Sequence, residues 1–204
     1  MSLLPALPRA SRRIAGGLLA ACVALTLAGC AGGAIGQDTA QSNGKSFVSG
    51  SFGTTYHAPG SRPAAPQVTG TTLTGQKFSL AAERGNLVVL NFWGSWCSPC
   101  RTEAPALAAL SRQFASQPVR FVGVDVRDSP SSAQAFMRTF RVSYPSVNDP
   151  GDEIALAFHG TLPPTGIPST LLIDSTGHIA ARIVGGVTYS GLKALIMKVN
   201  AAAS

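Results

Sequence analysis

The sequence predicts an α/β protein with a central mixed sheet flanked by helices. Leu87–Trp93 is an apolar run rich in Val, Leu and aromatics, ended by Gly94 and Ser95, and reads as a buried strand. Ala104, Leu107, Ala108, Leu110 and Phe114 then recur at a helical period, and Val119–Asp125 is a second strand. Strand, helix and strand at this spacing make a right-handed parallel crossover. Lastly, Gly166–Asp174 and His178–Val184 are extended runs around Asp174-Ser175-Thr176-Gly177, an antiparallel hairpin that makes the sheet mixed.

In chain order, residues 1–29 are not fold. Arg9, Arg12 and Arg13 precede the apolar stretch Ile14–Ala28. That stretch is short for a bilayer, which needs about 20 residues. A basic lead, a short apolar core and small residues after it describe an export leader, with an uncleaved membrane anchor as the alternative. Leu27-Ala28-Gly29-Cys30 resembles a bacterial lipoprotein cleavage box, which implies lipidation of Cys30. Ser11-Arg12-Arg13 carries only a fragment of a twin-arginine signal. Residues 30–66, rich in Gly, Ser, Ala, Gln and Thr without a sustained period, read as a flexible tether. Its typical span is about 33 Å for some 36 residues. His57 falls in it as a loop residue.

The folded domain is expected over 67–204. Val68–Thr74 and Lys77–Leu80 surround the turn Thr74-Gly75-Gln76 and read as a small hairpin. Pro105 interrupts the helix after the cysteines, where proline removes a hydrogen bond. Ser129–Val142 reads as a helix with Ala133, Phe136, Met137 and Phe140 on its packing face. Tyr144–Val147 reads as an extra strand, Asp152–Phe158 as a short helix and Ser190–Asn200 as a closing amphipathic helix.

The chemistry is expected at Trp96-Cys97-Ser98-Pro99-Cys100, where a strand turns into a helix. Unpaired N–H groups at a helix start carry partial positive charge and favour an anion. A thiolate at Cys97 is such an anion, so this thiol is expected to be more acidic than a free one. Zinc would need four ligands, but there is no second Cys-x-x-Cys, and His57, His159 and His178 are scattered. Covalent haem would need His after the second cysteine, where Arg101 stands. A purely structural bridge over so small a loop constrains the unfolded chain little. Cys22 lies in the leader and Cys30 at its end, which leaves Cys97 and Cys100 as the one pair.

Three of the 16 basic residues and none of the 9 acidic ones lie in residues 1–29. The net charge of +7 therefore falls to +4 without the leader. With no basic run or interleaved aromatic stripe, this is solvated surface or mild attraction to anionic lipid, not a nucleic-acid footprint.

The string Asn91-Phe92-Trp93-Gly94-Ser95-Trp96-Cys97-Ser98-Pro99-Cys100-Arg101-Thr102-Glu103 resembles the active site of extracytoplasmic thioredoxin-like proteins of the TlpA/ResA type. The likeness extends from about residue 66 to about 200. It implies a thioredoxin-like fold with an N-terminal hairpin and a central insertion. It implies a redox-active Cys97–Cys100 disulfide and no cofactor. It also implies a cis bond between Ile167 and Pro168, a form that only about 5–6% of such bonds take unaided. Trp96, Ile167 and Pro168 would then meet the substrate. Many thioredoxins carry a buried aspartate where this chain has Asn91, which cannot titrate. In the TlpA/ResA type an acid three residues after the second cysteine serves instead, and Glu103 holds that position; its alternative role is to complement the helix dipole. The activity implied is reduction of disulfides in exported proteins, with apocytochrome c as a candidate substrate, fed by a membrane thiol transporter. A disulfide oxidase or isomerase and a non-enzymatic binding lipoprotein are the competing readings. A peroxiredoxin is disfavoured, because Gly94-Ser95-Trp96 precedes Cys97 in place of Thr-x-x.

Overall fold

The centre of the molecule is the strand that the apolar run predicts. In a computed structural model, which describes residues 45–46, 53–163 and 166–202, nine strands and four α-helices follow in order. They are β1 (Lys45–Ser46), β2 (Thr54–His57), β3 (Thr69–Thr71), β4 (Lys77–Ser79), β5 (Leu87–Trp93), α1 (Ser98–Gln113), β6 (Val119–Val126), α2 (Pro130–Phe140), β7 (Ser146–Asp149), α3 (Glu153–Ala157), β8 (Ser169–Ile173), β9 (Ile179–Val184) and α4 (Tyr189–Ala201). Seven strands form one sheet in the order β1-β2-β9-β8-β5-β6-β7, and β3 and β4 form a separate hairpin. β5 pairs parallel to β6 and antiparallel to β8, which makes the sheet mixed.

Every residue of β5 is buried, because the sheet is covered on both faces. Side chains of a strand alternate between faces. Leu87 and Val89 therefore join Leu107, Leu110, Leu192 and Ile196 under α1 and α4. Val88, Leu90 and Phe92 point the other way, to Phe78 of the hairpin and to Ile154 and Phe158 of the insertion. Trp93, at the end of the strand, packs with Ala133 and Phe136 of α2.

Side chains cap the helix starts. The Ser129 hydroxyl accepts the Ser132 N–H for α2, and the Thr188 hydroxyl accepts the Gly191 N–H for α4. The Asp149 carboxylate accepts the N–H groups of Ile154 and Ala155, tying the insertion helix α3 to the end of β7. α1 continues through Pro105 to Gln113.

The structure departs from the sequence reading at the tether. Thr54–His57, inside the stretch read as linker, is a strand on the edge of β9. Arg62 donates to the buried carboxylate of Asp174 at 3.0 Å, and Ala65 is buried. A four-residue strand offers too short a period to be seen among small polar residues. His57 thus belongs to β2 and not to a loop. The leader at 1–29 and Cys30 lie outside the described residues.

Tyr56 of β2 is 8% exposed in the core under α4, with the Lys198 ammonium 3.9 Å from its ring centre. Tyr56→Ala is expected to destabilise the chain by about 3 kcal/mol in urea unfolding, the cost of a large cavity; a linker residue would cost nothing.

Candidate active site

β5 ends at Trp93, and the chain must turn before α1 begins at Ser98. Gly94 permits this. A Cβ there would lie 2.5 Å from the Trp96 indole nitrogen, so only a residue without a side chain lets the Trp96 ring fold over the turn. The Cys97 N–H donates to the Gly94 carbonyl, and Cys97 becomes the N-cap residue of α1. Its sulfur accepts the Cys100 N–H at 3.3 Å, the place a serine or aspartate oxygen takes in an ordinary cap. Pro99 falls in the first turn, where its missing N–H costs nothing.

Cys97 and Cys100 are joined as a disulfide, with Cα atoms 5.3 Å apart. Cys97 is 4% and Cys100 1% exposed. Both lie in a cluster with Leu73, Trp93, Ala104, Ala133 and Phe136, and Ile167 packs against it. The Ile167–Pro168 peptide is cis, as the resemblance implies. Pro168 is buried and its carbonyl accepts the Gly185 N–H, whereas no described residue hydrogen-bonds the Ile167 backbone. Beside Ile167 a small cleft of about 30 Å³ is lined by Phe92, Asp152, Leu156 and His159. His159, which no spacing connects to the cysteines, therefore reaches the same neighbourhood through the insertion.

Trp96 stands at the rim, 52% exposed. Its indole N–H donates to the Val126 carbonyl at 3.1 Å, and the Arg127 guanidinium sits 5.1 Å from its ring centre. Arg127 also pairs with Asp152 at 3.3 Å, so the rim and the insertion share one cation. On the other side, Trp93 stacks on Phe136 at 4.4 Å, and the Arg101 guanidinium lies over Phe136 and Phe140.

Glu103 is 2% exposed, one turn after Cys100 on α1. Its Oε1 accepts from the Asn91 amide at 2.9 Å and its Oε2 from the Val187 N–H at 2.8 Å. Burial pushes its carboxyl up to about 7, against the opposing pull of the Val187 and Asn91 donors. The carboxyl is held inside, in a range where such a group can exchange a proton near neutral pH.

Two features escape the sequence reading. Asn91 reads there only as a missing acid, yet it is the donor that orients Glu103. Asp128, in the turn after β6, accepts the Ser95 N–H at 2.6 Å and so holds the turn that leads into Cys97. The available signal was its place at the carboxyl end of a parallel strand, the end at which α/β sheets build their sites.

Comparison with known proteins gives the geometry a context. The AhpC/TSA family matches residues 62–182. The thiol-disulfide oxidoreductase ResA of Bacillus cereus is 30% identical over 136 residues, covering 67% of this chain and 76% of that one. The crystal structure of a DsbF homologue from Corynebacterium diphtheriae is 30% identical with a TM-score of 0.66, over 76% of this chain and 98% of that one. A secreted thiol-disulfide isomerase from Corynebacterium glutamicum is 26% identical with a TM-score of 0.68, over 79% and 100%. A closed Cys-x-x-Cys pair at a strand-to-helix junction, on a fold shared with these enzymes, leaves one conclusion: the chain belongs to the AhpC/TSA family and is a thiol-disulfide oxidoreductase of the ResA type.

Proposed function

We propose that the chain is a membrane-tethered reductant of disulfides in exported proteins, with Cys97 as its attacking sulfur. The observation that supports this most is the cap: the Cys97 sulfur accepts a hydrogen bond at the positive end of a sixteen-residue helix, a position that favours its anion. Reduced Cys97 attacks a substrate disulfide, forms a mixed disulfide and expels one substrate thiolate. Cys100 then attacks the Cys97 sulfur, the second substrate thiolate leaves, and the Cys97–Cys100 bond closes. Two electrons pass to the substrate. Glu103 takes the proton from Cys100 in the second step, a role consistent with its place one turn along α1. Trp96, Ile167 and Pro168 receive the substrate chain. The unbonded Ile167 backbone offers it an N–H and a carbonyl, and the exposed Trp96 ring offers an apolar surface.

The export leader at 1–29 and a lipid on Cys30 would put this chemistry outside the cytoplasm, on the outer face of the membrane. A secreted isomerase among the structural neighbours is in keeping with that location. Electrons would then come from a membrane thiol transporter, and haem-site cysteines of apocytochrome c are the substrate we favour. That secreted neighbour is a thiol-disulfide isomerase, which supports an isomerase as the second reading, with a disulfide oxidase beside it. A midpoint potential near −270 mV, about that of thioredoxin, selects the reductant, and one near −120 mV an oxidant.

Cys100→Ser is expected to accumulate mixed disulfides on Cys97, seen as gel-shifted species that a reductant reverses, and Cys97→Ser to abolish insulin-disulfide reduction. Glu103→Gln should slow closure of the Cys97–Cys100 bond at pH 7 on the order of 10²-fold, the scale of a lost general base, with mixed-disulfide formation little changed. Stability supplies an independent check. The folded chain keeps the Glu103 proton to about pH 7, whereas the unfolded chain releases it near 4.5. Raising the pH through that window should therefore cost about 3 kcal/mol of stability from this group alone. Urea unfolding of Glu103→Gln should lose about 3 kcal/mol less than wild type over the same window, the slope that remains coming from other buried carboxyls.

A further inference from the structure

The alternation of β6 turns Phe121, Gly123 and Asp125 toward the face that α1 and α2 cover, while Val122, Val124 and Val126 face the insertion. Asp125 is the register partner of Trp93, which packs with both cysteines. It is completely buried, and among the described residues no N–H or O–H donates to either of its oxygens. Its neighbours are no better served: Trp93 Nε1 and Ser146 Oγ also lack partners. Both crowd onto the bare Gly123, where a Cβ would lie 2.6 Å and 2.3 Å from them.

The group that meets Asp125 is another carboxyl, that of Asp128. Asp128 has donors of its own: Oδ2 accepts the Ser95 N–H at 2.6 Å and Oδ1 the Ser129 N–H at 2.8 Å. Two facing carboxyls with no donor between them are stable only if one carries a proton. The Asp128 oxygens already take two N–H groups and those of Asp125 take none, so the proton sits on Asp125. The surrounding charges leave it there. Asp149, at the end of β7, is a further acid, with Glu153 of α3 behind it. Arg127 pairs with Asp152 and Trp96, and Arg101 of α1 lies over the α2 aromatics.

We propose that Asp125 and Asp128 share one proton and act as a positioning pair for the reaction: protonated Asp125 keeps Asp128 on the Ser95 N–H, and so holds the turn that delivers Cys97 to the start of α1. Loss of that proton places two negative charges side by side, and Asp128 lets go of the turn. Burial first, then the charge and hydrogen bond of Asp128, then the charge of Asp149 push Asp125 up to about 8, so the release falls just above neutral pH.

The chain's two tryptophans, Trp93 and Trp96, flank this turn and report on it. With the disulfide closed, the full chain is expected to show a change in tryptophan fluorescence with a midpoint near 8. Asp125→Asn should remove it. Asp128→Asn should move the midpoint down by about one unit or more, because a like charge is replaced by an amide that donates. Glu103→Gln should leave it in place. The rate at which dithiothreitol opens the disulfide, divided by its thiolate concentration, should change around the same pH in wild type and stay flat in Asp125→Asn. The proposal is overturned if wild type shows no transition, if the transition survives in Asp125→Asn, if Asp128→Asn leaves the midpoint in place or raises it, or if the opening rate ignores the transition. Should Asp125→Asn fail to fold, Asp128→Asn decides. The proposal takes from the preceding section only that Cys97 is the reactive sulfur, and because the titration is done on the closed disulfide, it can fail while mixed-disulfide trapping succeeds, and the reverse.

Discussion

One hydrogen bond organises the molecule: the Cys100 N–H to the Cys97 sulfur, made where β5 becomes α1. It needs a strand that ends at a fixed point, a turn tight enough to bring the next residue to a helix start, and a helix with a free first turn. β5 satisfies the first condition because it is buried on both faces and paired on both edges, so its register has no freedom to slip. Gly94 satisfies the second and Pro99 the third. The rest of the fold can be read as the support these conditions require. The hydrophobic face under α1 and α4 holds the helix down, and the opposite face, with the hairpin and the insertion, keeps the strand from water.

Inside this frame the carboxyls are as informative as the sulfurs. Glu103 and Asp125 lie on the same face of the sheet, on β5's two flanks, and burial holds both above the ordinary carboxylate range. They differ in what surrounds them. Glu103 meets two donors, which stabilise its anion and leave it poised near neutrality. Among the described residues no donor reaches Asp125, and another acid lies beside it. The same physical cause, removal from water, thus yields one group suited to exchanging protons and another suited to keeping one.

Much of this was legible in the residues. The apolar run at Leu87–Trp93, the breakers after it, the helical period that follows and the hairpin at Asp174–Gly177 each have strong local signals, and each element forms where its signal lies. The insertion's short helix was visible for the same reason, and its strand too, though it forms at Ser146–Asp149 and not at Tyr144–Val147. What was hidden depends on tertiary contact. Thr54–His57 has no pattern of its own and becomes a strand only because β9 offers an open edge. The orientation of Asn91 toward Glu103, and of Asp128 toward Ser95, joins residues 12 and 33 positions apart. No local period encodes such a pairing. Trp93 and Trp96 were separable in the string: the first ends the apolar run and is buried, the second follows the breakers and is exposed.

The fixing of Trp96 has a consequence for encounters with other proteins. Its ring rests on Gly94, its N–H is bonded to Val126 and a guanidinium lies over it, yet half of its surface meets solvent. A large side chain is usually frozen only on association, at a loss of about 0.5–1.5 kcal/mol in rotamer entropy. Here folding has already absorbed that loss, so whatever docks on this face meets a rigid landing surface and retains that increment as affinity.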